Sequence, residues 1–363
     1  MMTRIERVVY AVLALVGTSL NAQANRDPYE LIFHQVNQNL TFVSRPDMGR
    51  FPLVANSVIL TSDDGILLVD GGGGVPVARQ IIEHIRSMTN KPVLYLVLTH
   101  WHNDHSIGID LYQQAFPGMK ILAHPETIKY IATVLLERTK TAPDRIRNTT
   151  QYFINSLDTM MVTEGDPISE RDYQYSYQAL QDTVFTYPAY DVESVAVPEV
   201  PVSDRKLINM GDLTVDVRYL GVGGTLGDLV VWVPELEILM GGDLFTYPVP
   251  FGYPNDYIAL IETMDAALEF PYKWLIPGHG EIQEGKKIAH QVRGLFKRTS
   301  NRIEKLVAQG LTKEEVAESM DFSKDERLFC KADSTQLLFF RSWFVTPALD
   351  GKYDQARSNQ GMP

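Results

Sequence analysis

Three of the chain's eight histidines fall within six residues, in Thr99-His100-Trp101-His102-Asn103-Asp104-His105. His100 and His102 are two positions apart, so in extended backbone their side chains leave on the same side. Asp104 and His105 follow at a turn and face a second nearby point. Imidazole with carboxylate suits a borderline divalent cation such as zinc, which takes nitrogen and oxygen ligands at about 2.0–2.2 Å. A polar loop whose histidines only hydrogen-bond is the plainer reading, and it does not call for this density of donors. Two more polar groups occur far along the chain in matching settings. Asp243 follows Ile238-Leu239-Met240-Gly241-Gly242, and His279 follows Trp274-Leu275-Ile276-Pro277-Gly278. Each stands just past an apolar run, at the expected carboxyl end of a strand, beside glycines that permit close backbone approach. Alone, either would read as a satisfied core polar group. Together with the histidine cluster they form one pattern.

The elements that must position these residues follow from periodicity. From Leu31 to Asp70 the chain alternates short β-like runs with turns. Asn56 to Leu60, the turn Ser62-Asp63-Asp64-Gly65, and Ile66 to Val69 make a hairpin. After Gly71 to Gly74, Val77, Ile81 and Ile85 recur at four-residue spacing, which predicts a helix. Val93 to Leu98 and Lys120 to Ala123 are buried-strand candidates, the second stopping at His124-Pro125. Residues 127–205 are polar, helical at first and then rich in tyrosine (Tyr173, Tyr175, Tyr177, Tyr187, Tyr190), and read as an insertion over the main fold. Strands resume at Leu213 to Leu220, Leu229 to Val233 and Ile238 to Met240. From 286 to 363 a helical extension is expected, with a capping box at Thr312 to Glu315.

Composition bounds the class. With 363 residues, 45% hydrophobic and 21% charged, the chain is neither disordered nor a polytopic membrane protein. A net charge of -12 and the lack of a dense Lys/Arg cluster argue against a nucleic-acid partner. The single cysteine, Cys330, allows no internal disulfide and no thiolate-rich metal site. Residues 1–24 read as a secretory signal peptide: Arg4 and Arg7, an apolar run from Val8 to Val16, then Ala22-Gln23-Ala24. The run is shorter than the roughly 20 apolar residues a bilayer span needs. A periplasmic or secreted protein is expected, without stable membrane insertion once the signal is cleaved. Other motifs fall away. Gly71 to Gly74 lacks the third glycine of a dinucleotide fingerprint, and Gly221 to Gly227 precedes a strand-like segment where a phosphate-binding helix should start. Ser203-Asp204-Arg205-Lys206 matches S-x-x-K without its partner motifs and reads as a charged loop.

The chain resembles the metallo-β-lactamase superfamily from about Asn56 to Gly280. Asp70, Thr99 to His105, Gly227-Asp228, Gly241-Gly242-Asp243 and Pro277-Gly278-His279-Gly280 appear in the family's order. The resemblance implies an α/β fold, an αββα sandwich of two mixed β-sheets flanked by helices, spanning residues 25–285. It also implies a metal centre at one edge of the sheets. One metal would use His100 and His102, the other Asp104, His105 and His279, with Asp243 bridging both. Asp70 and Asp228 would stand behind the ligands, Asp70 orienting one of them. One position departs. Where the family has G-H-T-x-G-D, this chain reads Gly223-Gly224-Thr225-Leu226-Gly227-Asp228, so Gly224 offers no donor. Unequal occupancy follows, tight at Asp104/His105/His279 and weak at His100/His102. His124 is either a cap and pocket wall or a substitute ligand, and the first reading is preferred.

The expected cofactor is Zn2+, one or two ions, with Mn2+ or Fe as alternatives. The expected function is metal-dependent hydrolysis of an ester, lactone, amide or related small-molecule bond. A cation-activated water would be the nucleophile, and Asp104 would orient it or accept its proton. A β-lactamase, or a degenerate protein that keeps the scaffold and binds metal or ligand without turnover, are the alternatives.

Overall fold

The computed structural model of the protein describes residues 30–45, 55–140, 194–254, 256–331 and 333–359, with Asn148, Gln151 and Asn155. The signal segment and the tyrosine-rich stretch expected from the sequence lie outside these residues. The runs Ile66–Val69 and Leu229–Val233, inside their sheets, are apolar at every position because both faces of each sheet are covered there. Along Ile66–Val69, Leu67 and Val69 point into the core between the sheets, whereas Ile66 and Leu68 point to an outer helical layer. Along Leu229–Val233, Leu229, Val231 and Val233 face the inner core, and Val230 and Trp232 face the other helical layer. Each fully buried Val, Leu or Ile contributes about 1.5–3 kcal/mol to this arrangement.

The first sheet has seven strands in chain order: β1 Ile32–Asn37, β2 Leu40–Ser44, β3 Ser57–Thr61, β4 Ile66–Val69, β5 Val93–Val97, β6 Lys120–Ala123 and β7 Val200–Pro201. Strands β1 to β4 are antiparallel; β4 to β7 are parallel. The second sheet holds β8 Arg205–Asn209, β9 Thr214–Tyr219, β10 Leu229–Val233, β11 Ile238–Gly242, β12 Trp274–Pro277 and β13 Gln283–Glu284, in the order β13-β12-β11-β10-β9-β8. Within it β11 and β12 are parallel and the other pairs antiparallel. Both sheets are therefore mixed, as the αββα expectation requires.

Helix α1, Val75–Met88, buries Val77, Ala78, Ile81, Ile82 and Ile85 on the first sheet. The short helices α2 Asn103–Ser106 and α3 Ile109–Ala115 follow β5. Helix α4, Pro125–Tyr130, runs through a π turn into α5, Leu136–Lys140. The second sheet is covered by α6 Tyr257–Leu268, α7 Lys287–Ala308, α8 Lys313–Ser319, α9 Ser323–Cys330, α10 Ser334–Phe339 and α11 Thr346–Asn359. Phe296 of α7, Phe329 of α9 and Phe344 share one cluster with Leu239 and Leu275 of the sheet. The helices after residue 286 thus pack in the layer that α6 begins. The capping box at Thr312 is formed, Thr312 Oγ1 accepting from Glu315 N–H and the Glu315 carboxylate from Thr312 N–H. Among the described residues, no helix is long and apolar enough to cross a membrane.

Two expectations need correction. The sheet pattern resumes at Val200, which pairs with Leu122, and not at Leu213. Arg205 and Lys206 belong to β8 and not to a charged loop. β8 is an edge strand with only Ile208 buried, so it shows no apolar alternation, and its charges blunt the open edge. Arg205 pairs with Asp216 across the strands at 2.8 Å.

Candidate metal centre

The functional side chains leave the carboxyl ends of β4, β5, β11 and β12, at an edge where backbone bonds join the two sheets. Leu229 N–H donates to Thr99 O at 2.8 Å, and Asn56 N–H to Gly278 O at 2.7 Å. Asn56 Nδ2 also donates to Pro277 O and Gly280 O, both at 2.9 Å, pinning the turn that carries His279. Gly278 has a steric reason to be glycine: a Cβ there would overlap the Asp243 carboxylate.

Asp70 organises the centre from behind. It is buried and adopts a left-handed φ of 59°, uncommon for a residue other than glycine. Its Oδ1 accepts from Thr99 N–H at 2.8 Å, and its Oδ2 from Thr99 Oγ1 and from His105 Nδ1, both at 2.8 Å. Thr99 Oγ1 lies 3.0 Å from His100 Nδ1. With the Thr99 proton directed to Asp70, the Nδ1–H of His100 donates to Thr99. Both His100 and His105 are thereby held with Nε2 directed at the centre.

There the donors converge. His279 Nε2 lies 2.9 Å from Asp104 Oδ2 and 3.6 Å from Asp243 Oδ1. His105 Nε2 lies 3.6 Å from Asp104 Oδ2 and 3.4 Å from Asp243 Oδ1. His100 Nε2 lies 3.4 Å from Asp243 Oδ2 and 2.9 Å from His102 Nδ1. Two three-residue groups have donor atoms close enough for one ion, His100/His105/Asp243 and Asp104/His105/His279. Ligands about 2.0–2.2 Å from a tetrahedral cation stand roughly 3.3–3.6 Å apart, so the four spacings of 3.4–3.6 Å fit zinc, while the two of 2.9 Å are hydrogen-bond distances. A second observation agrees. His105 Nε2, Asp243 Oδ1 and both ring nitrogens of His279 are buried without a hydrogen-bond partner. Such groups are costly unless something else satisfies them, and a divalent cation satisfies the two Nε2 atoms and Oδ1 at once.

Electrostatics divides the histidines. Burial, then His100 beside it, pushes His102 down to about 3, so it is a neutral donor. Burial also opposes charge on His105, but Asp243, Asp104 and Asp70 outweigh it and raise its pKa well above the ordinary value. Burial would raise Asp243, yet His279, His105 and His100 hold its carboxyl well below the usual range. Burial pushes Asp228 up.

The remaining residues singled out in the sequence lie around one side of this cluster. Asp228 accepts from Gly224 N–H at 2.8 Å, from Thr225 N–H at 2.9 Å and from Thr225 Oγ1, so it shapes the loop that carries Gly224. His124 caps α4 through Glu126 N–H at 3.2 Å and stacks on Tyr219 with ring centroids 4.1 Å apart. It belongs to neither group of converging donors and does not line the cleft that opens at Gly224. That cleft runs from His102, Gly224 and Asp243 to Phe251, Tyr253, Leu260, Met264 and Phe296. The sequence reading missed this apolar wall and the tautomer-setting role of Thr99. Phe251 meets His279 edge-on at 5.1 Å, and its loop is tied to the C-terminal helices through Gly252 N–H and Trp343 O at 2.7 Å.

Two mixed sheets between helical layers, with imidazole and carboxylate donors gathered at one edge, define a metallo-enzyme scaffold. The model of the metallo-beta-lactamase superfamily matches residues 50–279. The chain belongs to that superfamily. It is 22% identical over 265 residues to a metallo-beta-lactamase type 2 of Bacillus cereus, covering 70% of this chain and 79% of that protein. It is 20% identical over 279 residues to a linear primary-alkylsulfatase of a Pseudomonas strain, covering 72% of this chain and 49% of the other. The solved structure of a sec-alkylsulfatase from Pseudomonas sp. shares the fold with a TM-score of 0.58 and 16% identity, covering 95% of this chain and 54% of that one. This chain spans about half the length of those two sulfatases. The superfamily relatives are hydrolases, and the chain carries His/Asp groups suited to a divalent metal.

Proposed function

We propose that this protein is an exported, metal-dependent hydrolase of a small molecule carrying an ester, lactone, amide or related bond. One observation carries the reading: the buried, unpartnered His105 Nε2, His279 Nε2 and Asp243 Oδ1 converge on a point that Asp104 also faces. His105, His279 and Asp104 would hold the tighter ion, with Asp243 beside them. His100 and His102 would contribute to a weaker second position, where Gly224 supplies nothing. Zinc suits this donor set best, and a bound divalent ion lowers the pKa of water from 15.7 to about 7 and polarises a carbonyl as Lewis acid. Asp104 does the residue chemistry. Its carboxylate is held ionised and is the more exposed of the two central acids (21% of its side chain against 4% for Asp243), so it would orient an attacking water or take its proton. The signal-like residues 1–24 support export to the periplasm or the medium. Fold alone does not choose among β-lactam, ester and sulfate-ester chemistry.

A second reading, a scaffold that binds ligand without turnover, is favoured by the one donor-free position, Gly224. Metal analysis of the purified protein and of Gly224→His, with turnover measured on short-chain ester, lactone, β-lactam, phosphodiester and alkyl sulfate substrates, decides between them. The hydrolase reading expects about one tightly held ion per wild-type chain, measurable turnover on one substrate class, and a gain in bound metal in Gly224→His. Two equally tight ions in the wild type would contradict the unequal centre. Metal-loaded protein inert toward every class would leave the binding reading standing.

A further inference from the structure

The histidines of the centre are not held alike. The ring of His105 is fixed through Nδ1 by Asp70 at 2.8 Å, and that of His100 through Nδ1 by Thr99 Oγ1 at 3.0 Å. A metal-binding histidine ordinarily has such a partner on its other nitrogen, because that hydrogen bond fixes the plane of the ring. Among the described residues His279 has none: it is buried, and both of its ring nitrogens lack a hydrogen-bond partner. Asn56 pins the backbone at Pro277 and Gly280, on either side of His279, but it does not touch the ring nitrogens. Something other than a hydrogen bond must set the direction of this imidazole.

Aromatic packing takes that place. Phe251 meets His279 with ring centroids 5.1 Å apart and the planes inclined at 70°. Phe251 is itself held by two further rings, Tyr253 stacked at 5.6 Å and Trp343 inclined at 5.7 Å. Trp343 in turn lies 4.4 Å from Phe339 of α10. Aromatic pairs at about 4.5–7 Å attract each other beyond the burial of their surfaces, so the chain of rings has a preferred geometry to pass on.

The sequence shows why this chain of rings ends in the C-terminal helices. Trp343 belongs to a π turn, Phe340–Val345, between α10 and α11. In an α-helix its carbonyl would accept from the residue four positions on, but that residue is Pro347 and has no N–H. The Trp343 carbonyl accepts from Gly252 N–H, at 2.7 Å. A Cβ on Gly252 would overlap the Phe344 carbonyl, so the loop backbone lies directly against the turn. Tyr257 Oη, from α6, donates to the Gly252 carbonyl and secures the other side of the same residue. Single π turns within helices are rare and recur at functional sites.

We propose that Phe251 and Trp343 are positioning residues for the metal centre: they hold the His279 ring in its ligating orientation, and through them the C-terminal helices govern how tightly the ion is kept. That His279 is a ligand rests on the hydrolase reading above; the fixing of its ring is also tested without metal.

Zinc affinity is measured by competition with a chromophoric chelator in the full-length wild type, Phe251→Ala, Trp343→Ala, Trp343→Phe and the double variant with both alanines. Phe251→Ala should weaken zinc binding about 2–10-fold, the worth of one aromatic pair. Trp343→Ala should cost no more than that, and Trp343→Phe should recover most of the loss. The double variant should match Phe251→Ala within about 1.5-fold, because Trp343 acts only through Phe251. In the metal-free proteins, reaction of the histidines with diethyl pyrocarbonate is followed by peptide mass spectrometry. His279 should react at least about fivefold faster in Trp343→Ala than in the wild type or Trp343→Phe, as local packing over it loosens. The exposed His290 and the buried His100 should keep their wild-type rates. Unchanged zinc affinity in Phe251→Ala overturns the proposal, and so does unchanged His279 reactivity in Trp343→Ala. Losses of affinity that simply add in the double variant overturn it as well. If His100 also becomes reactive the fold is lost, and Trp343→Leu, which keeps bulk without the ring, replaces Trp343→Ala. A wild type that takes up no zinc bears on the hydrolase reading alone, because His279 reactivity is read without metal.

Discussion

The two sides of the metal centre are built differently. On one side, Asp104, His105 and His279 converge, and the surrounding chain holds them there. Asp70 anchors His105, and Asn56 pins the backbone around His279. On the other side, His102 stands against Gly224 and a narrow cleft with apolar walls, with His100 buried behind it. Asp228 organises that loop, but the carboxylate is spent on backbone and hydroxyl donors rather than directed at the centre. The difference teaches that one edge of a fold can divide two tasks. On the proposed function, the side rich in donors would retain the cation, and the side poor in donors would face the substrate.

The sharpest way to break this comparison is to remove a donor from each side in turn. His279→Ala should abolish stoichiometric zinc binding and with it turnover. His102→Ala should leave about one ion in place, because His102 is outside the Asp104/His105/His279 group. Metal analysis after dialysis checks both, and equal losses from the two variants would erase the proposed asymmetry. Next in size is Asp70→Asn. It keeps the shape but weakens the acceptor that orients His105 and, through Thr99, His100, so zinc affinity should fall about 10–100-fold. Competition with a chromophoric chelator measures it.

The pH dependence of metal binding sharpens the same contrast. In the metal-free protein the surrounding carboxylates raise the pKa of His105, so its imidazole carries a proton at neutral pH. A cation binds only the deprotonated ring, so binding at the rigid side releases that proton. Zinc affinity should therefore rise with pH, by about tenfold per unit, until the raised pKa of His105 is passed. His102, at about 3, has no proton to release between pH 6 and 8. Calorimetry in buffers of different ionisation enthalpy should count about one proton per tight ion. A pH-independent affinity over that window would mean that His105 holds no proton for the cation to displace.

Much of the rigid side was legible in the sequence. His100 to His105 are local, and an extended segment followed by a turn places their side chains without knowledge of the rest of the fold. Asp243 and His279 were legible because each ends an apolar run, and parallel neighbours such as β11 and β12 bring such ends together. The open side was not. Its wall joins Phe251 from a loop, Leu260 and Met264 from α6, and Phe296 from α7, which meet only after the C-terminal helices pack on the second sheet. Each of these residues reads as ordinary core in the sequence. Thr99 was equally hidden, since nothing in a lone threonine says that it stands between a carboxylate and an imidazole. The edge strand β8 was lost for the opposite reason: four of its five side chains are exposed, so it carries no apolar period to detect.

The smallest expected effect on metal is also the most discriminating. Asp228 is buried and accepts from two backbone N–H groups and one hydroxyl in the Gly224 loop. Asp228→Ala leaves those donors without their acceptor, at roughly 1–3 kcal/mol for a buried donor so deprived, so thermal stability should drop. If the two sides are independent, the tight zinc affinity should change by less than about threefold, because no ligand of the rigid side touches Asp228 and only the longer-range attraction to His100 is lost. Melting curves and chelator competition on one preparation read both quantities. A large fall in tight zinc affinity at intact fold would mean that the loop braces both sides of the centre, and that the division between holding metal and admitting substrate is not a physical one.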